Sequence, residues 1–444
     1  MRNKNGWTML LIGVLLLALL AGCGGKTASS ANEGEGTDNS KAPSSGEPVK
    51  LTMWGGVPPE AGPQEVIDAW NAEHPDIQVE YVRYVNDDDG NLKLDTAMIT
   101  GQDVDLFVNY TLSQTSKRVE SNLALDLSSQ FDDYDIDEKM GPDAESWKIN
   151  GKYYGMPTTK SAFFVALNKD ALDAASLPVP KDWTWDELRE YAKKLKVGNN
   201  YGFIQNMEPF VDPIDSVLSQ EGYTKADGTS NLDHPLVRKW LETLNVMMKE
   251  DKTTPPLGEQ LTSKMPVEQV FLSGEVPMLN IGAWMLRSSN NFTDFPRDFT
   301  IAFAQVPRLS DSADSYVTRG GIGDYISINA KSKKQAEAWE FLKWYADGGM
   351  APMAAGGRLP ASKDANQEEA LNSLLGDKKD TYDLDSLMHV MFEDKTPTYV
   401  RSLPQEVMDM RAQEYEKYFL DAQSLDQTLE AMVNRHNTFL KEGK

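Results

Sequence analysis

The stretch Val49-Lys50-Leu51-Thr52-Met53-Trp54-Gly55-Gly56, followed by Ile77-Gln78-Val79-Glu80-Tyr81 and then by Val104-Asp105-Leu106-Phe107-Val108, decides the fold. In the first run Leu51 and Met53 fall on one face, as in a half-buried strand, and the glycine pair stops it. Pro63 opens a helical pattern through Val66, Ile67 and Trp70, and Pro75 closes it. The second run alternates again, and a second helix from about Asn91 to Thr100 ends at Gly101. The third run is a short, mostly apolar strand with Asp105 inside it. The order β-α-β-α-β points to an α/β fold with a mostly parallel sheet and helices on its faces. Ligands of such sheets sit in the crevice beyond the carboxyl ends of the strands. That geometry puts Trp54, Asn109 and Tyr110 beside a cleft.

The pattern continues to the end of the chain. A turn-rich crossing, Gly151 to Pro157, enters a second apolar strand from Phe163 to Leu167. Thr184 and Glu187 have capping-box spacing and start a helix with Leu188, Tyr191, Ala192 and Leu195 on one face. Strands follow at Tyr201 to Gln205 and Val276 to Ile281, with a helix from His234 to Glu250 between them. Gly320-Gly321-Ile322-Gly323 precedes a strand at Tyr325 to Ile328, and a helix carries Ala336, Trp339, Phe341, Leu342 and Tyr345. Two amphipathic helices, near Gln405 to Leu420 and Leu425 to Leu440, close the molecule.

The N-terminus has the layout of a secretory signal. Arg2 and Lys4 precede an uncharged apolar run from Met9 to Leu20. A helix of about 12 residues spans roughly 18 Å, too short for a hydrocarbon core of about 30 Å. Residues 1–22 therefore read as a cleavable signal. Leu20-Ala21-Gly22-Cys23 resembles the bacterial lipobox, which implies lipid attachment at Cys23. Cys23 is the only cysteine, so there is neither a disulfide framework nor a thiol metal cluster. The rest of residues 23–48 is rich in Gly, Ser, Ala, Thr, Asn, Glu and Pro, and reads as a flexible tether.

The body from Val49 to Lys444 is long enough for two domains of ordinary size. The net charge of −24 argues against nucleic acid and against an electrostatic hold on anionic lipid. With four histidines and one cysteine, no metal and no cofactor is expected.

These segments resemble the type II extracellular solute-binding lipoproteins of ABC importers, in the carbohydrate-binding branch of the maltose-binding proteins. The resemblance covers essentially the whole body. It is carried by Leu51 to Gly55, Gly151 to Pro157, Ala166 to Asp170 and Trp183 to Leu188. Phe271 to Met278 with Gly282-Ala283-Trp284, and Ala338 to Lys343, complete it. It implies a two-lobed, periplasmic-binding-protein-like fold whose lobes close on a ligand about a hinge. Residues 49–156 and 323–360 would form lobe one, and 157–322 with 361–444 lobe two. A sugar or oligosaccharide would be the ligand and an ABC permease the partner. The protein would be a monomer on the outer face of the cell membrane, in a Gram-positive source.

Aligned with the family, Trp284 is the stacking candidate, and Glu208 and Phe210 an acid and aromatic pair. Sugar C–H groups pack on aromatic faces, while planar polar groups pair with hydroxyls. Lys160 falls where maltose binders place an acid, so it selects an acidic sugar such as a uronate or lies at the rim. Arg358 is a further ligand candidate, with a solvated surface arginine as its alternative. Three other classes compete. The fold accommodates a peptide, polyamine or organic acid. Tyr153-Tyr154 raises a ferric-ion binder, but the pair lies in a Gly-Lys-x-Tyr-Gly-x-Pro stretch shared with sugar binders. A lipid-anchored glycosidase would need paired carboxylates, which 68 acidic residues make uninformative, and the sequence has no Gly-x-Ser-x-Gly, Walker or His-Glu-x-x-His motif. A binding protein rather than an enzyme is expected.

Overall fold

The computed structural model describes residues 47–205, 213–309, 317–394, 396–399 and 403–442. The signal, Cys23 and nearly all of the tether lie outside the described residues, as do Glu208 and Phe210. Strands β1 (Val49–Gly55), β2 (Ile77–Arg83) and β3 (Leu106–Asn109) follow one another with the expected helices between them, Pro63–Glu73 and Asp88–Thr100. The second helix begins three residues earlier than expected because Asp87 caps it, accepting from Gly90 N–H at 2.8 Å.

The remaining strands are β4 (Met156–Asn168), β5 (Ile204–Gln205), β6 (Met278–Gly282), β7 (Ile301–Gln305), β8 (Thr318–Ile328), β9 (Leu359–Pro360) and β10 (Thr398–Tyr399). The order is β2-β1-β3-β8-β4-β6-β5, with β7 and β9 also paired to β4 and β10 to β8. β1 pairs in parallel with β2 and β3, and β5 in parallel with β6. β8 runs antiparallel to β3 and β4, and β4 antiparallel to β6 and β7. The sheet is thus mixed rather than mostly parallel.

β4 and β8 are the long strands, and they link two groups of neighbours. The first half of β4 pairs with β8 and β9, through Met156↔Ile326 and Lys160↔Leu359. Its second half pairs with β6 and β7, through Phe164↔Ile281 and Phe164↔Gln305. Phe163 to Leu167 reads as an unbroken apolar run because both faces there are covered. Val165 and Leu167 enter one core with Trp185, Leu241 and Met432, while Phe164 and Ala166 enter another with Phe271, Phe303 and Leu374. A third core joins Leu51, Trp70 and Leu106 to Met156, Ile326, Phe341 and Ala361. It draws on the start of the body and on a late segment, so the chain returns to its first core after building the others.

The Thr184 capping box is present, with Glu187 Oε2 accepting from Thr184 N–H at 2.7 Å. Of the strand expected at Tyr201 to Gln205, only Ile204–Gln205 pairs. Gly202 and Phe203 instead donate to the Thr253 carbonyl, which takes them out of the ladder.

Candidate functional site

β1 alternates as read, and its parity decides the fate of Trp54. Leu51 and Met53 face the core of Trp70 and Leu106, so Trp54 faces the other side. There it is 6% exposed, packed with Tyr84, Leu94 and Phe107, and Lys93 Nζ lies 5.8 Å from the ring centroid. The structure therefore seats Trp54 in a core behind the sheet instead of at its open end. Asn109 is likewise consumed internally. Its Nδ2 donates to Tyr325 O at 3.1 Å and Ser327 Oγ at 2.9 Å, and its Oδ1 accepts from Arg118 Nη1 at 2.7 Å. Fully buried, with both amide protons and one carbonyl lone pair taken, it ties β3 to β8 inside the structure. Tyr153 is also a core residue, packed edge-on against Phe131 with 4.9 Å between centroids.

Tyr110 stays at the carboxyl end of the sheet. Its hydroxyl accepts from Gly56 N–H at 2.6 Å, and among the described residues its own proton has no acceptor. Tyr81, at the same end of β2, donates to the Val57 carbonyl at 2.8 Å. Burial first, then the Tyr84 phenol and the Asp324 carboxylate, push the Tyr110 phenol well above its ordinary range. It is a neutral hydrogen-bond donor at any physiological pH. Both tyrosines line a pocket of about 350 Å³, counted to its open mouth, with Met53, Val66, Ile326 and Asp324.

Asp324 and Arg358 form the polar centre. Arg358 Nε donates to Asp324 Oδ2 at 2.7 Å, and the two side chains are 17% and 18% exposed. Burial works against the guanidinium, but the Asp324 charge and the Tyr110 phenol outweigh it and hold its pKa above the ordinary value. Asp324 has φ of 45°, the left-handed region that Asp tolerates better than most non-glycine residues. The ladder steps over it: Pro157 pairs with Tyr325 and Thr159 with Gly323, while Thr158 Oγ1 donates to the Asp324 carbonyl at 2.9 Å. This interruption lies where β4 and β8 pass between cores.

On the far side, Trp284 follows β6 and is partly exposed. Phe163 meets it edge-on, 5.4 Å between centroids and 81° between planes, and Arg319 lies 4.5 Å from the Phe163 ring centroid. The indole folds back over Gly282, where a Cβ would lie 1.9 Å from Cζ3, so only glycine admits this ring position. Gly357, with φ of 82°, lies against the Trp284 backbone and sets Arg358 beside the aromatic pair. Lys160, between Ile322 and Leu359, is half-buried, and burial lowers its pKa.

The structure thus brings Tyr110, Lys160, Trp284 and Arg358 to one region, and keeps Trp54 and Asn109 apart from it. Sequence reasoning missed Tyr81, Phe163 and Asp324. The Gly320 to Gly323 cluster was the available signal for Asp324, because glycines in a strand mark bends and close approaches.

The sequence profile of the family described as bacterial extracellular solute-binding protein matches residues 55–348. A Brucella abortus protein, carried under the provisional name of a binding protein, is 27% identical over 346 residues, 75% of each chain. Among solved structures, an ABC substrate-binding protein from Listeria monocytogenes in complex with cycloalternan superposes with a TM-score of 0.73 at 22% identity. That match covers 89% of this chain and 99% of that one. The maltose-bound MalE3 protein of T. maritima gives 0.69 at 20% identity, covering 88% and 100%.

Proposed function

Because this chain belongs to the bacterial extracellular solute-binding protein family, we propose that it captures a sugar or oligosaccharide between its two lobes and delivers it to an ABC permease. One observation carries the choice of ligand. An aromatic pair, Trp284 and Phe163, and a planar guanidinium–carboxylate pair, Arg358 and Asp324, converge beside neutral phenols where the crossing strands change partners. Stacking faces and bidentate planar groups suit a ring that is apolar on its faces and hydroxylated on its edges. The sugars named for the Listeria and T. maritima structures support the same reading.

Tyr110, Lys160, Trp284 and Arg358 are the ligand contacts in this reading, with Glu208 and Phe210 as further contacts from a segment outside the described residues. Lobe one is 49–156 with 323–360 and lobe two is 157–322 with 361–444, an assignment supported by the core that joins Leu51 and Trp70 to Ile326 and Phe341. Closure bends β4 and β8 near Thr158 and Asp324. The family is one of binding proteins, so the ligand leaves unchanged. Cys23 anchors the monomer by lipid to the extracytoplasmic face of a Gram-positive membrane, where a short tether keeps the receptor concentrated beside its permease.

The test is mass spectrometry of ligand carried through purification, then calorimetry with a panel of neutral and acidic oligosaccharides. Saturable binding of an unchanged oligosaccharide is expected. Binding of an amine or peptide alone, or release of new reducing ends, would overturn the reading.

A further inference from the structure

Arg287 lies one helical turn beyond Trp284, in the helix Met285–Asn290 that follows β6, and its N–H donates to the Trp284 carbonyl at 3.2 Å. Its side chain is half-buried, yet the guanidinium has no hydrogen bond and no ion pair among the described residues. Five other enclosed arginines are matched to carboxylates: Arg118 to Asp95, Arg189 to Asp251, Arg308 to Asp182, Arg358 to Asp324 and Arg411 to Asp215. Arg297, which lacks one, still donates to the Ser289 carbonyl and the Thr381 hydroxyl. Arg287 stands out in a chain whose net charge is −24, where carboxylates are plentiful.

Its surroundings explain where it points. The charges that reach it belong to Arg358, Glu268, Arg83 and Glu60. Arg83 ends β2 and Glu60 follows β1, so both stand at the carboxyl ends of the first strands. Arg287 comes from beyond the carboxyl end of β6, on the opposite side of the cleft. Neither nearby carboxylate is bonded to it: Glu268 accepts from the Ser288 hydroxyl, and Glu60 acts on Arg287 only through its charge. Burial first, then repulsion from Arg358, disfavour its charged form. A half-buried cation without a bonded anion has lost part of its hydration uncompensated, and an incoming anion would relieve that cost.

We propose that the ligand is an acidic oligosaccharide and that Arg287, flanked by Arg83 and Arg358, receives the carboxylate of a hexuronate unit while Trp284 stacks on a ring. The guanidinium fork offers two parallel N–H donors to the two carboxylate oxygens. This inference rests on the sugar-binding reading above and sharpens it to a charge class.

Calorimetry of the intact protein with hexuronate trisaccharides, and with the same trisaccharides after reduction of their carboxyl groups to alcohols, tests it. The acidic form should bind about tenfold to a hundredfold more tightly than the reduced form. Arg287→Gln should bring that ratio close to one, and Arg287→Lys should retain part of it. Should Arg287→Gln fail to fold, the unmodified protein still decides: added salt should weaken the acidic trisaccharide and spare the reduced one. A ratio near one in the unmodified protein, or a ratio unchanged in Arg287→Gln, would remove the inference and leave the sugar reading standing. Failure of every oligosaccharide, neutral or acidic, would remove both.

Discussion

Arg358 Nε and Asp324 Oδ2 lie 2.7 Å apart, joining the loop before β9 to the one residue of β8 that the β4 ladder steps over. Asp324 holds φ of 45° there, so the carboxylate that orients Arg358 depends on a backbone conformation few side chains accept.

Asp324→Asn keeps the tolerance for that conformation and removes the charge. The partly buried Arg358 then loses its anion, and stability should fall by about 2 kcal/mol, with ligand affinity dropping roughly tenfold. Asp324→Val, which is β-branched and ill-suited to positive φ, should be worse than Asp324→Asn by a further 1 kcal/mol or more. Urea unfolding and calorimetry measure both effects.

Trp284→Ala should leave the fold intact and weaken sugar binding by about tenfold or more, since an aromatic face is lost from a partly exposed position. Gly282→Ala is the sharper test, because its new Cβ would collide with the indole and displace it while every polar group stays in place. Comparable losses in the two variants are expected, and unchanged affinity in both would remove Trp284 from the site.

Arg411 and Asp215 form an ion pair at 2.7 Å with both side chains fully enclosed. Arg411→Leu leaves the Asp215 carboxylate without that cation and should cost about 3–5 kcal/mol. The double variant Arg411→Leu with Asp215→Leu should cost less than the sum of the two single changes, as a denaturant double-mutant cycle would show.

His436 is 3% exposed, with Nδ1 2.8 Å from Ser230 Oγ. Burial, then repulsion from Arg411, depress its pKa below the ordinary histidine value of 6.5. The unfolded chain therefore takes up this proton first on acidification. The contribution to stability is complete above 6.5 and is lost as pH falls from there through the lower folded-state pKa. The melting temperature should fall between pH 7 and the carboxylate range, about 4, and His436→Gln should flatten that slope.

Cys23→Ala should leave ligand affinity unchanged while releasing the protein from the membrane or blocking its processing. Fractionation of cells, followed by calorimetry on the released protein, checks both halves. A variant that stays firmly anchored would refute the lipid-attachment reading.

The order of strands and helices was legible because it rests on local periodicity and punctuation. Leu51 and Met53, the Thr184 capping box, and Trp284 just past β6 all lie where chain-local rules put them. What failed was parity and long-range bonding. Trp54 and Met53 are adjacent, and nothing local says which face of β1 meets a cleft, because here both faces are covered by core. Asn109 ends β3 as expected, but its amide is taken by Tyr325, Ser327 and Arg118, two of them more than 200 residues away.

By itself, then, the sequence determined the alternation of elements, the family resemblance, the acidic surface and the lipobox-like Cys23, all of which are properties of neighbouring residues or of composition. Only the tertiary structure decided that Arg358 pairs with Asp324, that Gly282 admits the Trp284 ring, and that Arg287 is half-buried without a bonded anion among the described residues. Those facts depend on which distant segments the crossing strands β4 and β8 bring together. Charge pairing and steric fit act through space, over a few ångströms, between residues that the chain itself holds far apart.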